Sequence, residues 1–212
     1  MVSALTSYDD LLAHRLVPVV VADDVQRGLD VLTALQLSGI NCVEVALRTP
    51  ASLNLLAEAA KLPGLLVGAG TVINAELLDK SLESGAQFVV TPGLSDEVIH
   101  GCINADIPIF PGVATPTDAM RAIEHGLSHV KVFPVEQLGG LNFVKSLSGP
   151  FPGLKFMPSG GVNETNFREF LKNRNVFAVS GSWMLPTHNQ GPLDFEALKA
   201  LSVEIESLSR QL

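Results

Sequence analysis

The sequence predicts an α/β fold: a closed (β/α)8 (TIM) barrel with an extra N-terminal helix. Three observations carry this reading. Eight short apolar, β-branched runs recur, at residues 17–22, 42–48, 65–71, 88–92, 107–112, 129–134, 154–158 and 176–180. Their starts lie 19 to 25 residues apart, room for one short strand, one helix and two turns. Between them stand helix-patterned segments, and regular strand–helix alternation means a parallel sheet. Eight such units in 212 residues fit a compact closed barrel.

Each element has its own signals. The helical segments are 24–38, 51–61, 74–84, 96–105, 117–125, 140–147, 165–173 and 194–210, preceded by the extra helix at 7–15. Several open on a capping residue or a proline, as at Thr49-Pro50 and Thr115-Pro116-Thr117. A doubly wound open sheet is the alternative, but no GxGxxG follows the first strand. No linker or low-complexity tract interrupts the pattern, so residues 1–212 read as a single domain.

Composition narrows the function. The net charge of −8, without a Lys/Arg-rich run, argues against a nucleic-acid surface. No basic, long apolar leader opens the chain, and no apolar stretch approaches membrane-spanning length. Cys42 and Cys102 show neither CxxC nor zinc spacing, and read as buried free thiols of a cytosolic protein. The five histidines are scattered. His100 and His125 read as helix-end residues, and His129 as a hydrogen-bonded core residue. No metal site or cofactor is expected.

The candidate chemistry comes from strand parity. Side chains alternate along a strand. In the second run Val43, Val45 and Leu47 should face the helices, so Cys42, Glu44, Ala46 and Arg48 face the interior. In the sixth run Val130 and Val132 face outward, and His129, Lys131 and Phe133 inward. Two separate strands thus aim Glu44, Arg48 and Lys131 into one cavity at the C-terminal strand ends, where such barrels hold their chemistry. An unpartnered ammonium is costly to bury, and an amine that gives up its proton attacks ketones.

Glycines punctuate the other strand ends. Gly68-Ala69-Gly70-Thr71 and Thr91-Pro92-Gly93 close the third and fourth, and Thr71 offers a hydroxyl. Pro158-Ser159-Gly160-Gly161-Val162 and Ser180-Gly181-Ser182 close the seventh and eighth, the usual phosphate-holding loops of this barrel.

These residues resemble the family of 2-keto-3-deoxy-6-phosphogluconate (KDPG) and 4-hydroxy-2-oxoglutarate (KHG) aldolases over essentially the whole chain. The resemblance rests on Glu44-Val45-Ala46-Leu47-Arg48-Thr49, Gly68-Ala69-Gly70-Thr71-Val72, Phe110-Pro111-Gly112-Val113-Ala114-Thr115-Pro116, Lys131-Val132-Phe133-Pro134 and Pro158-Ser159-Gly160-Gly161-Val162. It implies a class I, Schiff-base, metal-free lyase of the Entner–Doudoroff pathway, cytoplasmic and usually a homotrimer. Its substrate would be a 2-keto acid sugar phosphate, with no nucleic-acid or membrane partner. It makes Lys131 the imine-forming lysine and Glu44 the acid/base. Arg48 and Thr71 would bind the carboxylate end, Pro92, Phe133 and Ser159 would line the site, and Gly160, Gly161, Gly181 and Ser182 would hold the phosphate. Ser159 stands where threonine is common, and Ser180 where glycine is common. The related galactonate aldolases usually lack an arginine at the position of Arg48, so its presence favours the gluconate substrate. Two rivals are a phosphosugar isomerase or epimerase and a non-catalytic phosphosugar-binding barrel.

Overall fold

Every pairing between strands is parallel, as the strand–helix alternation predicts. A computed structural model describes residues 11–186 and 192–209. The strands are β1 (Leu16–Val20), β2 (Cys42–Ala46), β3 (Leu66–Gly70), β4 (Phe88–Val90), β5 (Ile109–Phe110), β6 (Gly112–Val113), β7 (His129–Val132), β8 (Lys155–Pro158) and β9 (Val179–Gly181). The helices are α1 (Val25–Leu37), α2 (Ser52–Ala59), α3 (Ala75–Glu83), α4 (Asp96–Asn104), α5 (Pro116–Glu124), α6 (Gly140–Ser148), α7 (Phe167–Leu171) and α8 (Phe195–Ser209). Side-chain caps start several helices: Asp24 accepts from the Arg27 amide, Asn74 from Leu77, and Thr115 and Asp118 form a reciprocal capping box.

The fifth apolar run departs from expectation. It forms two short strands, β5 and β6, separated by Pro111, which has no N–H to give a ladder. β5 pairs with β4 and β6 with β7. The parallel strands therefore curl as a six-stranded sheet, β5-β4-β3-β2-β1-β9, and a three-stranded sheet, β6-β7-β8. On the far side β8 meets the segment before β9 at a parallel bridge, Phe156–Val176. α7 is also shorter than the 165–173 pattern suggests. Asn163 draws the preceding backbone into a turn, its side chain accepting from the Thr165 amide and hydroxyl. Of the helix expected over 7–15, residues 7–10 lie outside the described residues; of residues 11–15, only Leu11 and Leu12 are helical.

The alternation of strand side chains builds two separate apolar cores. The larger lies between strands and helices and takes Val43, Val45, Val130 and Val132. The smaller fills the interior of the curled sheet with Leu11, Val17, Cys42, Phe88, Val90, Phe110, Met157 and Ala178. Phe88 and Phe110 meet edge-on there at 6.1 Å. Both cysteines are free and buried.

Gly68 is a fixed point of the inner core. A Cβ on it would sit 2.2 Å from the fully buried Phe88 ring, which has no room to retreat. Gly68→Ala should therefore destabilise the fold by about 1–3 kcal/mol, the usual cost of overpacking. Denaturant unfolding at constant m-value checks this, and wild-type stability would show that the ring can move.

Candidate active site

Glu44 and Lys131 meet inside the curled sheet, one from β2 and one from β7. Glu44 lies in register with Val19 on β1 and Gly68 on β3. Room for its side chain comes from Gly70, where a Cβ would sit 2.2 Å from Glu44 Oε1. Lys131 lies in register with Gly112 on β6 and Met157 on β8. Its Nζ is 3.6 Å from Glu44 Oε1, with side-chain exposures of 5% and 0%. That is an ion-pair distance, longer than a normal N–H···O hydrogen bond. Glu44 Oε1 has no hydrogen-bond partner among the described residues, a costly state for a buried carboxylate oxygen and one found where chemistry is done. The Lys131 ammonium position also lies 5.1 Å from the Phe133 ring centroid.

The surroundings leave one nucleophile. Cys42 sits two residues before Glu44 on the same face. Burial first, and the Glu44 charge second, push its thiol well above the ordinary range, so it stays protonated.

Arg48 and Thr71 come together just beyond β2 and β3. Arg48 Nε donates to Thr71 Oγ1 at 3.2 Å. Thr71 has φ 64°, a left-handed conformation that a β-branched residue rarely adopts and that clusters at functional sites. Arg48 is exposed and leaves its guanidinium at the mouth.

Pro92 and Phe133 follow the ends of β4 and β7. The Thr91 hydroxyl donates to Gly93 O at 2.5 Å and accepts from the Gly112 amide at 3.3 Å. A Cβ on Gly112 would lie 2.3 Å from Pro92 O, so only glycine lets the two strand ends approach. Phe133 packs over Gly160, whose added Cβ would be 3.0 Å from the ring.

The two glycine loops follow β8 and β9. Ser159 is buried, its amide donating to Val132 O and its carbonyl accepting from Val135 N. Gly160 and Gly161 have φ 82° and 101°, closed to ordinary side chains. Gly161 O accepts from Asn163 Nδ2 and Asn166 Nδ2, each at 3.0 Å, and Asn166 also reaches Glu136 Oε2 at 3.4 Å. Gly181 pairs with Pro18, and a Cβ on it would be 2.8 Å from the Trp183 ring, which stacks on Phe167. Ser182 is exposed beside it.

Sequence reasoning missed several contributors. Gly70 makes the space for Glu44, and Asn163, Asn166 and Glu136 brace the first glycine loop. Ser180 Oγ donates to Glu44 Oε2 at 3.4 Å. Ser180 left a trace in the sequence as the departure before Gly181, and Gly70 as one of the strand-end glycines. His125 and Arg121 instead engage Asp96 between α4 and α5, away from this site. Among the described residues no group of three His, Cys, Asp or Glu side chains is placed to hold a metal ion.

Comparison with known proteins identifies the family. A family model described as KDPG and KHG aldolase matches residues 9–201. A 2-dehydro-3-deoxy-phosphogluconate aldolase of Treponema pallidum (strain Nichols) is 37% identical over 199 residues, covering 93% of this chain and 95% of the relative. The 2-keto-3-deoxy-6-phosphogluconate aldolase of Zymomonas mobilis ZM4, solved with 3-phosphoglycerate, superposes with TM-score 0.88 at 34% identity, over 97% of both chains. The KDPG aldolase of Legionella pneumophila, solved with pyruvate captured at low pH as a covalent carbinolamine, has TM-score 0.85 at 33% identity, over 94% of this chain and 98% of that one. The chain belongs to the KDPG and KHG aldolase family.

Proposed function

We propose that this chain is a class I aldolase that cleaves 2-dehydro-3-deoxy-6-phosphogluconate to pyruvate and glyceraldehyde 3-phosphate. 4-Hydroxy-2-oxoglutarate, giving pyruvate and glyoxylate, is a second substrate. The observation that carries the reading is the buried pair, Lys131 Nζ 3.6 Å from Glu44 Oε1. The carbinolamine captured in the Legionella pneumophila relative supports the same chemistry.

The steps follow from the residues. The free amine of Lys131 adds to the C2 ketone, giving a carbinolamine that loses water to form a protonated imine. Glu44 takes the proton of the C4 hydroxyl. The C3–C4 electron pair moves into the imine, leaving an enamine, and glyceraldehyde 3-phosphate departs. The enamine takes a proton at C3, and water hydrolyses the resulting imine to pyruvate and free Lys131. A carboxylate beside the lysine suits both the dehydration and the retro-aldol proton transfers.

Arg48 grips the substrate carboxylate, which a planar guanidinium can do through two hydrogen bonds. Thr71 holds Arg48, and Pro92, Phe133 and Ser159 wall the cavity. Gly160, Gly161, Gly181 and Ser182 form the phosphate cradle. The presence of Arg48 favours the gluconate substrate over its galactonate epimer. An isomerase or a binding-only barrel has no use for an amine buried against a carboxylate. The curl of the two sheets and the Phe156–Val176 bridge between them support one (β/α)8 barrel and a single domain. The resemblance also supports a metal-free, cytoplasmic homotrimer. No described helix is long and apolar enough to cross a membrane.

Borohydride reduction in the presence of pyruvate should attach the three-carbon unit to Lys131, located by peptide mass spectrometry. Labelling at another lysine, or none, would remove the imine mechanism.

Glu44→Gln should lower kcat by about 10²–10⁴-fold, the worth of a positioned acid/base. The amide keeps the shape but cannot titrate. Steady-state pyruvate release checks it, and retention of more than about a tenth of wild-type kcat would contradict the role.

The phosphate cradle is best probed at Ser182. Gly161 is unsuitable, because a Cβ there would sit 2.3 Å from Glu136 Cβ and disturb the loop by itself. Ser182 is exposed, and its backbone bond to the Leu185 amide survives a side-chain change. Ser182→Glu should cut kcat/KM for the phosphorylated substrate at least about tenfold through like-charge repulsion. 4-Hydroxy-2-oxoglutarate has no phosphate and should be nearly unaffected. Equal losses on both substrates would show that the loop holds no phosphate.

A further inference from the structure

Ser180 is a buried hydroxyl that the reaction steps above do not use. It is 0% exposed, on β9, in register with Val17 of β1. Ala178, two residues earlier on the same strand face, belongs to the inner core. Ser180 is therefore the next inward position up, within reach of the Glu44 side chain. A glycine or alanine there would bury no polar group, whereas a hydroxyl removed from water needs a hydrogen-bond partner. That partner is Glu44 Oε2 at 3.4 Å.

The two oxygens of Glu44 thus have different surroundings. Oε2 accepts from Ser180, while Oε1, without a hydrogen bond among the described residues, points toward Lys131. The terminal torsion of a glutamate is broad and nearly two-fold, so packing alone defines it weakly. A hydroxyl on one oxygen selects one orientation of the carboxylate. It also opposes collapse of the carboxylate onto the lysine, which must stay free to attack a ketone. The contact is longer than an ideal O–H···O bond, as is common for catalytic hydrogen bonds before substrate binds, when they tighten.

We propose that Ser180 is a positioning residue of this aldolase, holding Glu44 Oε2 so that Oε1 faces the reacting centre. The inference rests on the aldolase reading above and deepens it.

The test is a double-substitution cycle. Ser180→Ala should lower kcat on the order of tenfold, since a hydrogen bond to a charged group is among the stronger ones, with KM within about twofold of wild type. In a Glu44→Gln background the same substitution should cause no further loss, because no carboxylate remains to be aimed. Three results would overturn the proposal. One is a Ser180→Ala kcat within about twofold of wild type. Another is the same fold loss in both backgrounds. The third is loss of the folded far-ultraviolet circular dichroism signal in Ser180→Ala, which would make the hydroxyl structural. Pyruvate trapping on Lys131 and the effect of Glu44→Gln alone are measured on the same preparations. They test the aldolase reading itself, so the two ideas fail separately.

Discussion

Burying a carboxylate beside an amine, with solvent all but excluded, is the constraint around which the rest of this structure is arranged. Removing two ionisable groups from water is costly, and their attraction offsets that cost only when geometry is well held. The geometry is held here by absences as much as by contacts. Gly70 leaves the space that the Glu44 side chain occupies, and Gly112 lets the strand beside Lys131 close on the Pro92 loop. Below them, Phe88, Phe110 and Met157 fill the interior with apolar volume. The floor of the site is therefore apolar.

The proposed function divides recognition at the mouth by chemistry. Arg48, tied to Thr71, offers a fixed positive fork on one side. The loop after β8 offers backbone rather than charge, and its shape is set by the left-handed Gly160 and Gly161 and by two asparagines. The side-chain amides of Asn163 and Asn166 satisfy Gly161 O, so the loop keeps its form without a ligand. That is preorganisation, which lowers the cost of ordering on binding.

Much of this was legible in the sequence because it is local. The period-2 pattern separates Val43 and Val45 from Glu44, and Val130 and Val132 from Lys131, and the two cores keep that separation. The eight apolar runs all give strand pairing or its bridge. What was not legible depends on long-range placement or on a single backbone group. Pro111 sits in a run that reads as one strand, but its missing N–H splits the run in two. The helix pattern begins at Thr165, but Asn163 bends the chain and a shorter helix starts at Phe167. Ser180 and Glu44 are 136 residues apart, and no periodicity reports that they touch.

The split at Pro111 has a mechanical meaning. Glu44 belongs to the six-stranded sheet and Lys131 to the three-stranded one, so no shared hydrogen-bond ladder sets their separation. It is set where the sheets join, at Pro111, whose carbonyl accepts from the Lys131 amide at 2.9 Å, and at the Phe156–Val176 bridge. Substitutions at that join should therefore shift the Glu44–Lys131 separation while leaving both side chains in place, a route to altering the pair from outside the site.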